Sequence, residues 1–135
     1  DVFCGSGSLG LECISRNCNH VIFVEKSRKS IEILKKNIAA LNISQDKFTI
    51  LQTGANKFFT GDHTLVDIYL LDPPFKMENL QKTIDFLTQS NSLLTSNLIV
   101  IEHELKQHLL TETDYYKIFK EKKFGRSLIS FIQRK

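Results

Sequence analysis

Along the chain, short apolar runs alternate with amphipathic stretches, the pattern of βαβ units feeding a parallel sheet. Asp1 to Cys4 reads as the end of a first buried strand and Leu9 to Arg16 as a helix. His20 to Glu25, carrying Val21, Ile22, Phe23 and Val24, reads as a second buried strand. Ser27 offers an N-cap to a helix in which Ile31, Leu34, Ile38 and Leu41 recur at helical spacing, with Lys29, Lys35 and Lys36 on its solvated faces. Phe48 to Gln52 predicts a third strand and Val66 to Leu71 a fourth. The fourth ends at Asp72-Pro73-Pro74-Phe75, where two successive prolines forbid continuing strand or helix. Leu80 to Gln89 predicts a helix, Leu98 to Glu102 a fifth strand, and Leu105 to Leu110 a short helix. Tyr115 to Lys122 and Ser127 to Gln133 predict a hairpin turning around Gly125. There is no internal repeat, low-complexity segment or linker, so one α/β domain is expected over residues 1–135.

Composition narrows the class. With 41% apolar residues the chain suits a soluble globular domain. No run approaches the roughly 18 apolar residues of a membrane span, and no basic-then-apolar leader precedes the fold, so the expected location is the cytoplasm. The chain opens in mid-strand without an initiator Met, so the natural protein is expected to continue upstream. The net charge of +3 is unevenly spread: from Lys117 to Lys135 there are seven Lys and Arg against one Glu. A basic end of that kind either steers a polyanion such as RNA or is a solvated hairpin; Lys122, Lys123 and Arg126 are its candidate phosphate contacts. Cys4, Cys13 and Cys18, even joined by His20, match no metal-ligand spacing. No metal is expected, and the thiols read as reduced and mostly buried.

Gly5-Ser6-Gly7-Ser8-Leu9-Gly10 satisfies G-x-G-x-x-G between a strand and a helix. Glycine permits the sharp turn and a ligand's close approach. Glu25, 15 residues beyond Gly10 at the end of the second strand, can accept hydrogen bonds from both hydroxyls of an adenosine ribose. Asp1, just before the glycines, decides between cofactors. Its carboxylate would repel a pyrophosphate and attract the ammonium of S-adenosylmethionine.

Asp72-Pro73-Pro74-Phe75 suits methylation of an exocyclic amino group on a nucleic-acid base. The lone pair of such a nitrogen is delocalised into the ring, and the Asp72 carboxylate and Pro73 carbonyl can each accept one of its N–H bonds. Both prolines stiffen the acceptor turn, Pro74 removes a competing N–H, and Phe75 offers a face on which a flipped base can stack. Catalysis is then mainly positioning and electrostatics. The element order brings this turn, the glycine turn and Glu25 to the carboxyl edge of the sheet. Phe58 and Phe59 read as core packing rather than as flanks of an adenine. His63, His103 and His108 read as surface residues, and Glu102 as a supporting residue at the functional edge.

D-V-F-C-G-S-G-S-L-G-L-E, F-V-E-K, L-L-D-P-P-F and K-F-G-R-S-L, in this order, resemble the RsmD family of bacterial methyltransferases, which modify guanine N2 of 16S ribosomal RNA. The resemblance covers essentially the whole chain. It implies a Rossmann-like class I methyltransferase fold, a mostly parallel sheet with a C-terminal antiparallel hairpin, acting as a monomer. It places S-adenosylmethionine on Asp1, Cys4, Gly5, Ser6, Gly7, Gly10, Glu25, Lys26 and Asp72, and base binding and catalysis on Asp72, Pro73, Pro74 and Phe75. Where the family has an acidic or amide residue beside the adenine, this chain has Gly54 followed by Ala55, so that contact falls to backbone groups or to Asn56. The implied partner is 16S rRNA or a small-subunit assembly intermediate. A DNA adenine-N6 or cytosine-N4 methyltransferase shares D-P-P-F, but ordinary βαβ elements fill the stretch from Gly10 to Val66 and leave no room for a target-recognition domain. A nicotinamide-dependent oxidoreductase gives D-P-P-F no role, and a non-catalytic fragment that binds the cofactor or RNA is the remaining rival.

Overall fold

The structure, a computed structural model, describes residues 1–60, 66–75, 77, 79–89 and 98–135. Contacts within the chain gather into two compact units, Asp1–Ala55 and Asn56–Lys135.

In the first unit β1 (Val21–Glu25) pairs in parallel with β2 (Phe48–Gln52), from Val21↔Phe48 to Glu25↔Gln52. Val2 extends the parallel pairing by bridging Val24. α1 (Ser8–Ser15) packs on β1, and α2 (Arg28–Ala40) packs on β1 and β2. The Ser27 hydroxyl caps α2 by accepting the Ser30 N–H at 3.3 Å, as its place before the apolar stripe predicts. Ile31, Leu34 and Ile38 are buried, and Leu34 and Ile38 join Cys4, Val21 and Phe23 in one core. Burying a side chain such as Phe23 stabilises the fold by about 1.5–3 kcal/mol. Leu41 falls on the same stripe but is 61% exposed, because it is the C-cap and Asn42, at φ 51°, turns the chain away.

The second unit contains a four-stranded sheet in the order β3-β4-β6-β5. α3 (Ala55–Phe59) lies at the boundary of the units; β3 (Ile68–Leu71), α4 (Leu80–Gln89), β4 (Leu98–Glu104), β5 (Tyr116–Phe124) and β6 (Ser127–Arg134) follow. β3 and β4 are parallel, and β6 joins β4 and β5 antiparallel. Burial alternates along β4: Ile99, Ile101 and His103 point to one face, opposite Ile132, Ser130 and Leu128. Ile84 and Leu87 of α4 and Tyr116 of β5 are also fully buried. The hairpin turns at Gly125, whose φ of 58° is left-handed backbone that glycine adopts without strain.

Three expectations are overturned. Residues 105–110 form no helix; they make a turn in which the Gln107 N–H donates to the Glu104 carbonyl at 2.9 Å. So short a segment cannot offset helix nucleation without an apolar face to bury, and Leu105 and Leu110 are exposed. The backbone groups of Leu110 go elsewhere: its N–H donates to Gln81 and its carbonyl accepts from the Tyr116 hydroxyl. His103 is 2% exposed, not a surface residue, and its Nε2 lies 2.9 Å from the Ser130 hydroxyl. Among the thiols only Cys4 is buried, Cys13 being half-buried and Cys18 exposed. His108 and His20 are exposed, and His63 lies outside the described residues.

Candidate active site

The glycine turn is built on the strand end before it. Val24 donates its N–H to the Asp1 carbonyl, and its own carbonyl accepts the Cys4 N–H at 3.2 Å. Three left-handed residues follow within five positions, Phe3 at φ 64°, Gly5 at 54° and Gly7 at 86°, and they reverse the chain into α1. Gly7 is the N-cap and has no side chain with which to satisfy the first amides. Asp1 supplies that acceptor instead: its Oδ2 receives the Gly10 N–H at 2.9 Å. Oδ1 is buried and without a hydrogen-bond partner. An unpaired carboxylate oxygen in the interior is costly, and an ammonium donor would satisfy it.

Glu25, at the carboxyl end of β1, is tied to the same turn. Its Oε2 accepts the Gly5 N–H at 3.1 Å and its Oε1 accepts the Ser27 N–H at 2.8 Å. Each oxygen keeps a further acceptor site, so the carboxylate is oriented yet able to receive hydroxyls. Cys4 lies below, its thiol pushed up to about 11 by burial and by the Glu25 carboxylate, and it brings no charge to the turn. Its N–H and carbonyl are already engaged by Val24 and Gly7.

Gly5, Gly7, Gly10 and Gly54 divide into two kinds. A Cβ on Gly10 would stand 2.3 Å from Phe23 Cε1, and one on Gly7 would stand 2.3 Å from Leu34 Cδ1. These two let α1 and its turn press onto the core rather than admitting a ligand. A Cβ on Gly5 or on Gly54 meets nothing within 4 Å. Both follow the carboxyl end of a strand, and they mark the open ground that a nucleoside needs. The residues of this unit therefore fit S-adenosylmethionine: an orphaned acceptor for its ammonium, an oriented carboxylate for its ribose, and open backbone beside both.

In the second unit the corner after β3 presents a different surface. Pro73 is buried, whereas Asp72, Pro74 and Phe75 are exposed, Phe75 at 53%. The Met77 N–H closes the turn on the Pro74 carbonyl at 2.9 Å. Among the described residues no hydrogen bond engages the Asp72 carboxylate or the Pro73 carbonyl. Leu71 pairs with Ile101, so Asp72 and Glu102 leave adjacent strands at the same step of the parallel ladder. Partial desolvation, and then the Glu102 charge, push the Asp72 carboxyl above its usual range.

These arrangements can be set beside known proteins. The family described as Conserved hypothetical protein 95 matches residues 1–133. Ribosomal RNA small subunit methyltransferase D of Escherichia coli is 31% identical over 134 residues, which make up 99% of this chain and 67% of that protein. The chain belongs to the RsmD family. Its Haemophilus influenzae relative of the same name is 32% identical, over 93% of this chain and 65% of its own length, so the chain spans about two thirds of the curated relatives it matches. A solved structure of a candidate methylase from Haemophilus influenzae superposes with a TM-score of 0.85 at 30% identity, covering 98% of this chain and 83% of that one. The fold is the Rossmann-like α/β fold of class I methyltransferases, a mostly parallel sheet with a C-terminal antiparallel hairpin.

Against the family pattern, hydrogen bonds join Asp1 to Gly10 and Glu25 to Gly5. Ser6 is exposed, with its carbonyl accepting from Asn37 at 3.0 Å. Lys26 and Asn56 are exposed and Ala55 is buried. Phe58 and Phe59 are core residues, Phe59 meeting Tyr69 edge-on at 6.4 Å. Sequence reasoning missed the network behind the D-P-P-F corner. There Gln107 donates to the Met77 carbonyl at 3.0 Å, and Gln81 donates to the Tyr116 hydroxyl at 2.8 Å. No periodicity announces such side-chain ties. Among the described residues no cluster could hold a metal ion, and no helix is long and apolar enough to cross a membrane.

Proposed function

We propose that residues 1–135 act as the catalytic domain of an S-adenosylmethionine-dependent methyltransferase that modifies the exocyclic N2 of a guanine in small-subunit ribosomal RNA. The observation that carries this reading is the corner at Asp72–Phe75: two acceptors left unengaged by the described residues, beside an exposed aromatic ring. When bound, S-adenosylmethionine supplies an electrophilic sulfonium methyl, held through the Asp1 Oδ1 and the Glu25 carboxylate. Asp72 and the Pro73 carbonyl accept the two amino N–H bonds and so orient the nitrogen lone pair. Phe75 stacks the extruded base.

Glu102 supports guanine over adenine. The Watson–Crick edge of guanine carries two adjacent donors, N1–H and the N2 amino group; that of adenine sets its amino group beside a bare N1 acceptor. A second carboxylate next to Asp72 accepts from guanine N1–H and repels the lone pair of adenine N1. An RNA substrate within an assembling small subunit places the protein in the cytoplasm, acting as a monomer on that partner.

Full-length protein should bind S-adenosylhomocysteine in calorimetry and not NAD. Ribosomal RNA from cells lacking the gene should lack one N2-methylguanine by mass spectrometry, restored by wild-type protein and not by Asp72→Ala. Preference for NAD, or methylation by Asp72→Ala at the wild-type rate, would refute the proposal.

A further inference from the structure

The β5–β6 hairpin carries a feature that the methyl-transfer chemistry does not use. Alternation alone would send Tyr116, Ile118, Lys120, Lys122 and Phe124 to one face of β5 and so turn two lysines inward. The register instead slips by one residue between Ile118 and Lys120, leaving Phe119 as a bulge. Before the bulge Tyr116 and Ile118 face the core side, opposite Arg134 and Ile132. After it the inward residues are Glu121, which accepts a hydrogen bond from the buried Ser130 hydroxyl at 3.0 Å, and Lys123, opposite Leu128. The bulge therefore gathers Lys117, Phe119, Lys120, Lys122 and Phe124 on the opposite face, together with Phe131 of β6.

That face is built for a polyanion with flat rings. Phe119 is 51% and Phe124 58% exposed. The rings of Phe119 and Phe131 lie 6.3 Å apart, and the Lys120 ammonium stands 5.7 Å over the Phe131 ring, so cation and aromatics form one patch. The surrounding segment, Lys117–Lys135, holds seven basic residues against one acidic, and that acid, Glu121, is turned to the other face. Lysines two positions apart along a strand repeat about every 6.6 Å, a spacing suited to consecutive contacts on an extended backbone.

We infer that this face of the β5–β6 hairpin binds a single-stranded stretch of RNA, Phe119 and Phe124 stacking bases while Lys117, Lys120 and Lys122 contact phosphates. The inference rests on the RNA reading above and adds to it the surface that holds substrate away from the target base. It separates Lys122 from its neighbour Lys123, which the register places on the core side opposite Leu128.

The test is fluorescence anisotropy of the full-length protein with a single-stranded RNA of about 12 nucleotides, across a salt series. Lys120→Glu/Lys122→Glu should weaken binding at least about 10-fold and lower the log–log salt slope by about 1.4, at about 0.7 for each phosphate left without its lysine. Lys35→Glu/Lys36→Glu, two exposed α2 lysines with the same change in net charge, should stay within about twofold of wild type. Phe124→Ala, which removes a ring that is 58% exposed, should weaken binding at least about fivefold. Hairpin variants that bind like wild type, or an α2 pair that weakens binding as much, would overturn the inference. Failure of the methyltransferase reading would show separately, as wild-type protein that binds no S-adenosylhomocysteine whatever the hairpin does.

Discussion

Gly10→Ala and Gly54→Ala add the same methyl group and should have opposite consequences. On Gly10 the new Cβ would stand 2.3 Å from Phe23 Cε1, 2.9 Å from Phe23 Cζ and 2.8 Å from Val21 Cγ1, against an ordinary carbon separation of about 3.5–4.0 Å. Phe23 is fully buried and Val21 nearly so, and both are pinned in β1, so α1 must rise off the strand by about 1 Å. Overpacking of this kind costs about 1–3 kcal/mol. Lifting the helix also stretches the Gly10 N–H bond to Asp1 Oδ2, a charge-assisted interaction worth about 1.5–3 kcal/mol. Replacing a helical glycine by alanine returns about 1 kcal/mol, so the net destabilisation is about 2–4 kcal/mol. For a domain of this size that lowers Tm by about 8–15 °C. The Cβ of Gly54→Ala meets nothing within 4 Å, so Tm should move by no more than about 2 °C. Its affinity for S-adenosylhomocysteine should instead fall at least about 10-fold, as the methyl enters ground reserved for the cofactor. Differential scanning calorimetry and titration of both variants check the pair. A Gly10→Ala protein melting within about 2 °C of wild type would show that the glycine is there for something other than packing.

Other consequences are as direct. Asp72 must be ionised to accept the amino N–H strongly, so methyl transfer should fail on acidification with a midpoint above the ordinary aspartate value of 3.8. Glu102→Gln removes the second cause of that shift, so the acid limb of the rate profile should move to lower pH, and selection of guanine over adenine should weaken by about 10- to 100-fold. A limb that stays in place would separate Glu102 from Asp72. The Cys4 thiol titrates near 11 in the folded state against an ordinary 9.0; the unfolded chain therefore loses its proton first as pH rises. Its contribution is complete below pH 9 and is lost between pH 9 and about 11. With solvent screening allowed for, it is on the order of 1–2 kcal/mol; urea melts of Cys4→Ala should show a correspondingly shallower alkaline decline than wild type. Tyr116→Phe should destabilise by about 1 kcal/mol, because the Leu110 carbonyl and the Gln81 amide lose a shared partner in a half-buried place, with S-adenosylhomocysteine affinity unchanged.

What could be read in the sequence was what local pattern dictates. α2, β2 and α4 follow from an apolar stripe, a cap or a run between breakers, and their observed bounds match within a residue or so. α3 escaped notice because five residues carry no period. The expected helix at residues 105–110 failed for the complementary reason: its leucines match a stripe, but Gln81 and Tyr116, both distant in sequence, claim the backbone of Leu110. His103 was legible in principle, since its parity with Ile99 and Ile101 puts it on the buried face; the run of apolar residues on both faces of β4 hid that parity. The bulge at Phe119 was not legible at all. No glycine marks it, and it shows only in the slip of register that puts Tyr116 and Ile118 before it and Glu121 after it on the same side.

The glycine turn shows why a motif alone does not name a cofactor. Gly7 and Gly10 are required by packing, a demand that any strand turning tightly into a helix would make whatever it bound. Only Gly5 in the motif leaves open space. The chemical information lies outside the G-x-G-x-x-G pattern, in Asp1, whose one oxygen caps α1 while the other is buried with no partner. If the ligand there were a pyrophosphate, its charge would be repelled by the Asp1 carboxylate at about 4 Å by several kcal/mol, and the helix terminus that would attract it is already taken by Asp1 Oδ2. A cation resolves both conditions at once: it satisfies Oδ1 without disturbing the bond from Oδ2 to Gly10. An Asp1→Asn protein keeps the shape and the cap but loses the charge, so it should remain folded and bind S-adenosylhomocysteine at least about 10-fold more weakly. Undiminished binding would mean that the orphaned oxygen is not the ammonium's acceptor.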